Sequence, residues 1–364
     1  MELPLFEHYP RLRDTIPYEP FATLPTPVQR LEHLSGGLGC EVWIKRDDQT
    51  GVLYGGNKVR KLPFLLAGAK ADGAKSVLTF GAAGSNHALA TAIYARELGL
   101  RAISMLVPQP NAHTVRRNLL RHHLAGAELH HHSGLRQVAA GTCVQFALRS
   151  AQEGRFPRVI PAGGSSPLGI LGFVNAAFEL KRQVEAGEMP LPDVVYTASG
   201  TMGTAVGLSL GFALAGLPVR VEAVRVTAER FTNEARGAKL FESTARLLRE
   251  SGADIPALTL ADSGFHQRDD FYGTQYALYS DEGMNAMRRV KEAEGIRLEG
   301  TYTAKAFAAL LADAESGALQ GKRALFWLTY NGVDFSDAIK DADYRALPQA
   351  FHHYFEEPVQ PLDA

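Results

Sequence analysis

The chain is short of cysteine, of long apolar runs and of net charge, and each shortage excludes something. Its two cysteines, Cys40 and Cys143, lie far apart and match no metal or redox spacing. That rules out a disulfide scaffold and points to a reducing compartment, the cytoplasm. No stretch reaches the roughly 20 apolar residues of a membrane-spanning helix. The first eight residues lack a basic region followed by an apolar run, so no signal peptide or membrane association is expected. A net charge of -1 leaves no electrostatic footprint for nucleic acid or an anionic membrane. The run His130-His131-His132 alternates faces if it is a strand, so no metal is expected there.

What is present is an ordinary globular balance, 46% apolar and 21% charged, in a length that suits two modest domains. Strand patterns fall at 40–46, 76–80, 102–107, 128–131, 158–160, 193–197, 219–226 and 324–328. Helical patterns fall between them, at 62–71, from 87 to 98, at 112–124, 135–152 and 168–186, and after 204. Alternating strands and helices predict an α/β fold with mainly parallel sheets covered on both faces. Ligands in such sheets bind at the carboxyl ends of strands. Three Gly/Ser-rich segments lie at such ends or lead into helices, and they are expected to converge on one crevice.

The first segment is Tyr54-Gly55-Gly56-Asn57-Lys58. Two glycines let the backbone turn sharply and approach a flat ring, and Asn57 offers an amide to a phenolic or carboxylate oxygen. A half-buried Lys58 would lose some pKa, and the neutral amine is the form that condenses with an aldehyde. The plainer reading is a solvated turn lysine. The second segment, Gly84-Ser85-Asn86-His87, opens a helix. Ser85 reads as its N-cap, and the same helix end is able to bind a carboxylate. The third, Ser199-Gly200-Thr201-Met202-Gly203-Thr204, also opens a helix and offers amides and hydroxyls to a phosphate monoester. It is neither a dinucleotide fingerprint nor a P-loop.

Gly-Gly-Asn-Lys, Gly-Ser-Asn-His, Ala-Ser-Gly-x-x-Gly-Thr and Thr-Tyr-Thr-x-Lys occur here in order. Together they resemble the pyridoxal-phosphate enzymes of fold type II, in the group of D-cysteine desulfhydrase and 1-aminocyclopropane-1-carboxylate deaminase. The segments Thr26 to Leu31 and Ile44 to Asp48 resemble that group too, so the likeness spans about 20–335. It implies a tryptophan-synthase-β-like fold with two open, mainly parallel-sheet domains and pyridoxal 5'-phosphate in the cleft. A large domain is expected at 1–60 plus 171–364 and a small one at 61–170.

The resemblance implies Lys58 as the lysine that carries the cofactor and returns protons. Asn57 lies beside it, Ser199 to Thr204 hold the phosphate, and Asn86 contacts the pyridine 3-oxygen. Ser85, Asn86 and His87 bind the substrate carboxylate, and Ser85 acts on a proton. Tyr276 and Tyr302 match the two active-site tyrosines of the deaminases. Thr303 stands where the deaminases carry a glutamate near the pyridine nitrogen, which favours β-elimination over ring opening. Tyr330, in Leu328-Thr329-Tyr330-Asn331-Gly332, replaces part of a His-Thr-Gly-Gly-like run and is able to partner that nitrogen. Tyr276-Ala277-Leu278 replaces a Tyr-Gly-apolar turn. The expected protein is a homodimeric, metal-free lyase or deaminase acting on a small amino acid. The alternatives are ring opening, racemisation, or a pyridoxal-phosphate-binding protein that has lost catalysis.

Overall fold

The computed structural model describes residues 2–364. Among them are ten strands: β1 (Val28–Arg30), β2 (Glu41–Lys45), β3 (Ser76–Ala82), β4 (Arg101–Val107), β5 (Glu128–His131), β6 (Arg158–Ile160), β7 (Val194–Ser199), β8 (Arg220–Arg225), β9 (Phe265–Arg268) and β10 (Arg323–Trp327). They make two sheets, ordered β1-β2-β10-β7-β8-β9 and β5-β4-β3-β6. Every pairing is parallel except β1 with β2. The chain divides into two compact units. One runs to Phe64 and resumes over Ser165–Gly332; the other is Leu65–Gly164 with Val333–Ala364.

In the first unit the central strands are apolar on both faces, as a covered parallel sheet requires. Val194, Tyr196, Ala324 and Phe326 face one core, with Phe307 and Leu310 from helix Thr303–Glu315 and Val290 from helix Asp281–Glu294. Val195, Val221, Leu325 and Trp327 face the other, with Phe173 and Leu180 from helix Pro167–Glu185 and Leu208 and Phe212 from helix Gly203–Ala215. The strict alternation along β7 and β10 is the period-two geometry of a strand.

In the second unit, helices Asn86–Glu97, His113–Leu124 and Leu135–Glu153 accompany the four-stranded sheet. Residues 333–364 belong here, whereas the expected boundary placed them with 171–332. The reason is a set of directed bonds. Asn111 Nδ2 and Arg116 Nε both donate to the Tyr354 carbonyl, at 2.9 and 2.7 Å, and Gln360 N donates to Asn111 O at 2.9 Å. Among the described residues no group of three or more His, Cys, Asp or Glu is placed to hold a metal, and no helix is long and apolar enough to cross a membrane.

Candidate active site

Lys58 lies within a helix, not in the turn that precedes one. The helix spans Asn57–Ala71, five residues earlier than the apolar pattern indicates. Pro63 and the charged pair Arg60-Lys61 hide its first turns, because proline removes one ladder bond and charged residues read as surface. Both charged side chains are in fact buried. The two glycines before the helix have specific tasks. A methyl on Gly55 would collide with the Asp48 carbonyl oxygen, and one on Gly56 would come within 2.7 Å of Thr329 O. Gly56 also has φ +89°, which glycine adopts at little cost. Thr329 O accepts the Asn57 N–H at 3.1 Å, and Asn331 Oδ1 accepts the Gly55 N–H at 2.6 Å. The segment 328–332 is therefore the surface on which the lysine turn is moulded, and Asn331 fastens it.

Lys58 keeps some exposed surface, yet burial lowers its amine to about 8. One helical turn on, Lys61 is 1% exposed; burial, and then the neighbouring Lys58 charge, push its pKa well below the ordinary lysine value. Its Nζ lies 3.4 Å from Ser165 Oγ, which is 2.7 Å from Thr201 Oγ1. A methyl on Gly203 would strike Ser165 Oγ and come within 2.7 Å of Lys61 Nζ. Asn57 Nδ2 donates to Thr204 Oγ1 at 3.0 Å. The head of the lysine helix and the head of helix Gly203–Ala215 thus meet around Thr201, Gly203 and Thr204. Ser199 Oγ is buried there without a hydrogen-bond partner. Met202 has φ +66° and caps the helix, while its side chain packs in the apolar core near Gly237 and Leu260. Only its backbone remains for a ligand.

Gly200 faces Tyr302, whose ring edge would be 3.5 Å from a methyl at that position. The Tyr302 and Tyr276 hydroxyls share a short hydrogen bond, with ring centroids 6.2 Å apart and edge-on. Burial raises both phenols. The shared bond partly offsets this for Tyr276, which stands at about 12, and adds to it for Tyr302, which lies well above the usual tyrosine value. The pair keeps both protons at neutral pH. The buried Glu299 carboxylate places Tyr302 by accepting the Thr301 and Tyr302 N–H groups at 2.6 and 3.1 Å. Ala277, beside Tyr276, has φ +62°, the conformation for which the family's glycine is suited.

Thr303 is fully buried, and its hydroxyl is engaged locally. It accepts the Glu299 N–H at 2.7 Å and donates to Glu299 O at 3.3 Å. Its observed task is to close the turn that starts helix Thr303–Glu315. Tyr330 is half-buried and packs against the Phe307 and Leu310 core.

In the second unit, Ser85 caps helix Asn86–Glu97 by accepting the Ala88 N–H at 3.1 Å. The hydroxyl proton is left for another acceptor. His87 is buried in the first turn. Asn86 Oδ1 accepts from Asn118 Nδ2 at 2.8 Å.

Four groups that matter escape the sequence motifs: Lys61, Ser165, Glu299 and Asn118. Lys61 alone had a legible signal, since it lies three positions after Lys58 and shares its side of the helix.

Residues 21–329 match the pyridoxal-phosphate dependent enzyme family. The D-cysteine desulfhydrase of Salmonella typhimurium strain LT2 is 36% identical over 316 residues, 85% of this chain and 90% of that protein. That of Salmonella paratyphi B is 37% identical over 292 residues, 79% of this chain and 85% of the relative. A solved 1-aminocyclopropane-1-carboxylate (ACC) deaminase homologue superposes with a TM-score of 0.76 at 30% identity, covering 94% of this chain and 100% of its own. The processed threonine deaminase isoform 2 of Solanum lycopersicum shares the fold, with a TM-score of 0.60 at 18% identity over 92% of each chain. With its lysine-headed helix and this likeness over most of its length, the chain belongs to the pyridoxal-phosphate dependent enzymes, in fold type II.

Proposed function

We propose that this enzyme eliminates the β-substituent of a small amino acid, with D-cysteine as the leading substrate, giving sulfide, a 2-oxo acid and ammonia. The observation that carries the reading is Lys58. It is a half-buried amine near pKa 8 at the head of a helix whose next turn and neighbouring loop suit an anion. The curated relatives named above are D-cysteine desulfhydrases.

The residues fit pyridoxal phosphate. The orphaned Ser199 hydroxyl, the Thr201 and Thr204 hydroxyls and the amides opening helix Gly203–Ala215 suit a phosphate. Lys61 would supply a cation, since a nearby dianion raises a buried amine's pKa. When bound, the cofactor supplies the electron sink that stabilises negative charge at the substrate Cα. Neutral Lys58 would hold the cofactor through its Nζ and, once freed, would accept the substrate Cα proton. Ser85 and the first amides of its helix bind the substrate carboxylate, and Asn86 and His87 border that position. The Tyr276–Tyr302 pair holds a proton for the departing sulfur. Asn57 stands beside Lys58, held on Thr204. Loss of the sulfur leaves an enamine, which water hydrolyses to pyruvate and ammonia.

Ring opening is the second reading, favoured by the likeness to the ACC deaminase homologue. Against it stands Thr303, whose hydroxyl is spent on Glu299 and offers no carboxylate to a pyridine nitrogen. Tyr330 is the remaining candidate partner for that nitrogen. Assays of sulfide, pyruvate, 2-oxobutanoate and ammonia from D- and L-cysteine and from 1-aminocyclopropane-1-carboxylate separate the two. Sulfide with equimolar pyruvate is expected. Efficient 2-oxobutanoate formation with no sulfide from either cysteine would replace the first reading by the second.

We place the enzyme in the cytoplasm, as its two unpaired cysteines suit. We also propose that it is a homodimer. Helix Leu135–Glu153 carries no charge between Arg136 and Arg149, and it exposes Ala140, Cys143, Val144, Ala147 and Leu148 along one side. Phe156 follows, 62% exposed. Monomers rarely leave a continuous apolar patch beyond about 300–600 Å² uncovered.

A further inference from the structure

The amide of Asn86 has two ends with opposite chemistry, a carbonyl that accepts and an NH2 that donates. The structure fixes which end is committed. Asn118, on helix His113–Leu124, is 3% exposed. Its Nδ2 donates twice, to Asn86 Oδ1 and to the Gly84 carbonyl, each at 2.8 Å. With Oδ1 held, the Asn86 NH2 is directed away from Asn118.

The loop itself is pinned from the other side. Gly84 N donates to Gln109 Oε1 at 2.9 Å, and Gln109 N donates to the buried Tyr354 hydroxyl at 3.1 Å. A methyl on Gly84 would lie 2.9 Å from a Val115 methyl and 3.1 Å from its Cα. Both backbone polar groups of Gly84 are thereby tied, and the loop has little freedom to compensate for a misdirected Asn86.

We propose that Asn118 is a positioning residue that makes Asn86 a hydrogen-bond donor to an anionic oxygen. The inference rests on the reading of Ser85-Asn86-His87 as a ligand-binding segment. Two oxygens have the required chemistry, the ring oxygen of the cofactor and the carboxylate of the substrate. Asn118→Asp tests it, because a carboxylate cannot donate to Oδ1. Asn86 would then turn its NH2 toward residue 118 and present its carbonyl to the anion, exchanging attraction for repulsion.

The measurements are the affinity of the apo-protein for pyridoxal phosphate, followed by fluorescence, and KM and kcat for D-cysteine. Asn118→Asp is expected to weaken one affinity by at least about tenfold, the size of one lost charge-assisted bond. A rise in the pyridoxal-phosphate Kd with unchanged KM identifies the ring oxygen; a rise in KM with unchanged Kd identifies the substrate carboxylate. In an Asn86→Ala background the same substitution is expected to have no further effect. Asn118→Ser keeps a donor and is expected to bind within a few-fold of the parent, which holds the test open if Asn118→Asp fails to fold. Equal losses with and without Asn86, or no loss in either affinity, would overturn the positioning role. A parent protein that takes up no pyridoxal phosphate would instead overturn the proposed function beneath it.

Discussion

Lys58 and Lys61 are separated by one helical turn, and burial, partial for Lys58 and complete for Lys61, lowers the pKa of both. For Lys58 the consequence is a pH-dependent nucleophile. The neutral fraction rises through about pH 8, so covalent uptake of pyridoxal phosphate by the apo-protein should accelerate with pH and level off above that value. The same lowered pKa costs stability while the unfolded chain holds the proton and the folded one does not. Stability should therefore climb with pH between about 8 and the ordinary lysine value. Stopped-flow absorbance across this range checks the first effect. Lys58→Ala should abolish the covalent link and lower turnover by about three or more orders of magnitude. Borohydride reduction and peptide mass spectrometry should find the pyridoxyl group on Lys58; finding it on Lys45, Lys61 or Lys305 would reject the assignment. Lys58, Ser85 and the tyrosines could be read from the sequence because each sits in a local motif. Asn118 and Ser165 could not, since their partners lie far along the chain and neither residue type is unusual for its setting.

At the scale of elements, the lysine helix is anchored by a buried ionic cluster. Arg60 reaches Asp47 and Glu179, Lys45 reaches Glu179 at 2.6 Å, and Trp327 Nε1 donates to Asp47 at 2.7 Å. The cluster joins the end of β2, helix Pro167–Glu185 and β10 to the turn that follows Lys58. Burial alone would raise the Glu179 carboxyl, but Arg60 and Lys45 outweigh it and hold it at about 2. A carboxyl held below its unfolded value stabilises the fold above that value. The contribution should vanish as pH falls from about 4.5 to about 2. Glu179→Gln leaves two buried cations short of a partner and should cost about 3–5 kcal/mol in denaturant unfolding. A loss below about 1 kcal/mol would show that the cluster does not hold the helix. From Cys40 to Val226 the strands and helices follow their patterns to within a few residues, the lysine helix apart, whereas β1 and helix Glu32–Leu38 lie before the first expected element. Between there and Ala324 no element was assigned, although helix Glu234–Glu250 buries Phe241, Thr244, Ala245 and Leu248 at helical spacing. β9, Phe-His-Gln-Arg, is too short and too polar to announce itself, and it exists because β8 offers it an edge.

At the scale of the whole molecule, the uncharged face of helix Leu135–Glu153 is where a second copy is expected. A stable interface needs about 800 Å² from each partner, and this face with Phe156 supplies an apolar centre for one. Val144→Glu should convert the dimer to a monomer in analytical ultracentrifugation without disturbing the fold, because Val144 is 62% exposed in one chain. A parent protein that sediments as a monomer at micromolar concentration would end the proposal.

The pinning of Gln109 by Tyr354 also dictates an order of events during synthesis. The strands β3 to β6 leave the ribosome early, but the hydroxyl that receives the Gln109 amide arrives only after all of 165–332 has been made. The first unit is likewise interrupted, by residues 65–164. Neither half can finish on its own portion of nascent chain, so each must wait, incompletely closed, for sequence that lies beyond the other. The Ser85 loop thus gains its last support only after the whole of 165–332 has been made. A ribosome stalled before Tyr354 would hold a chain with both sheets already encoded and that support still missing.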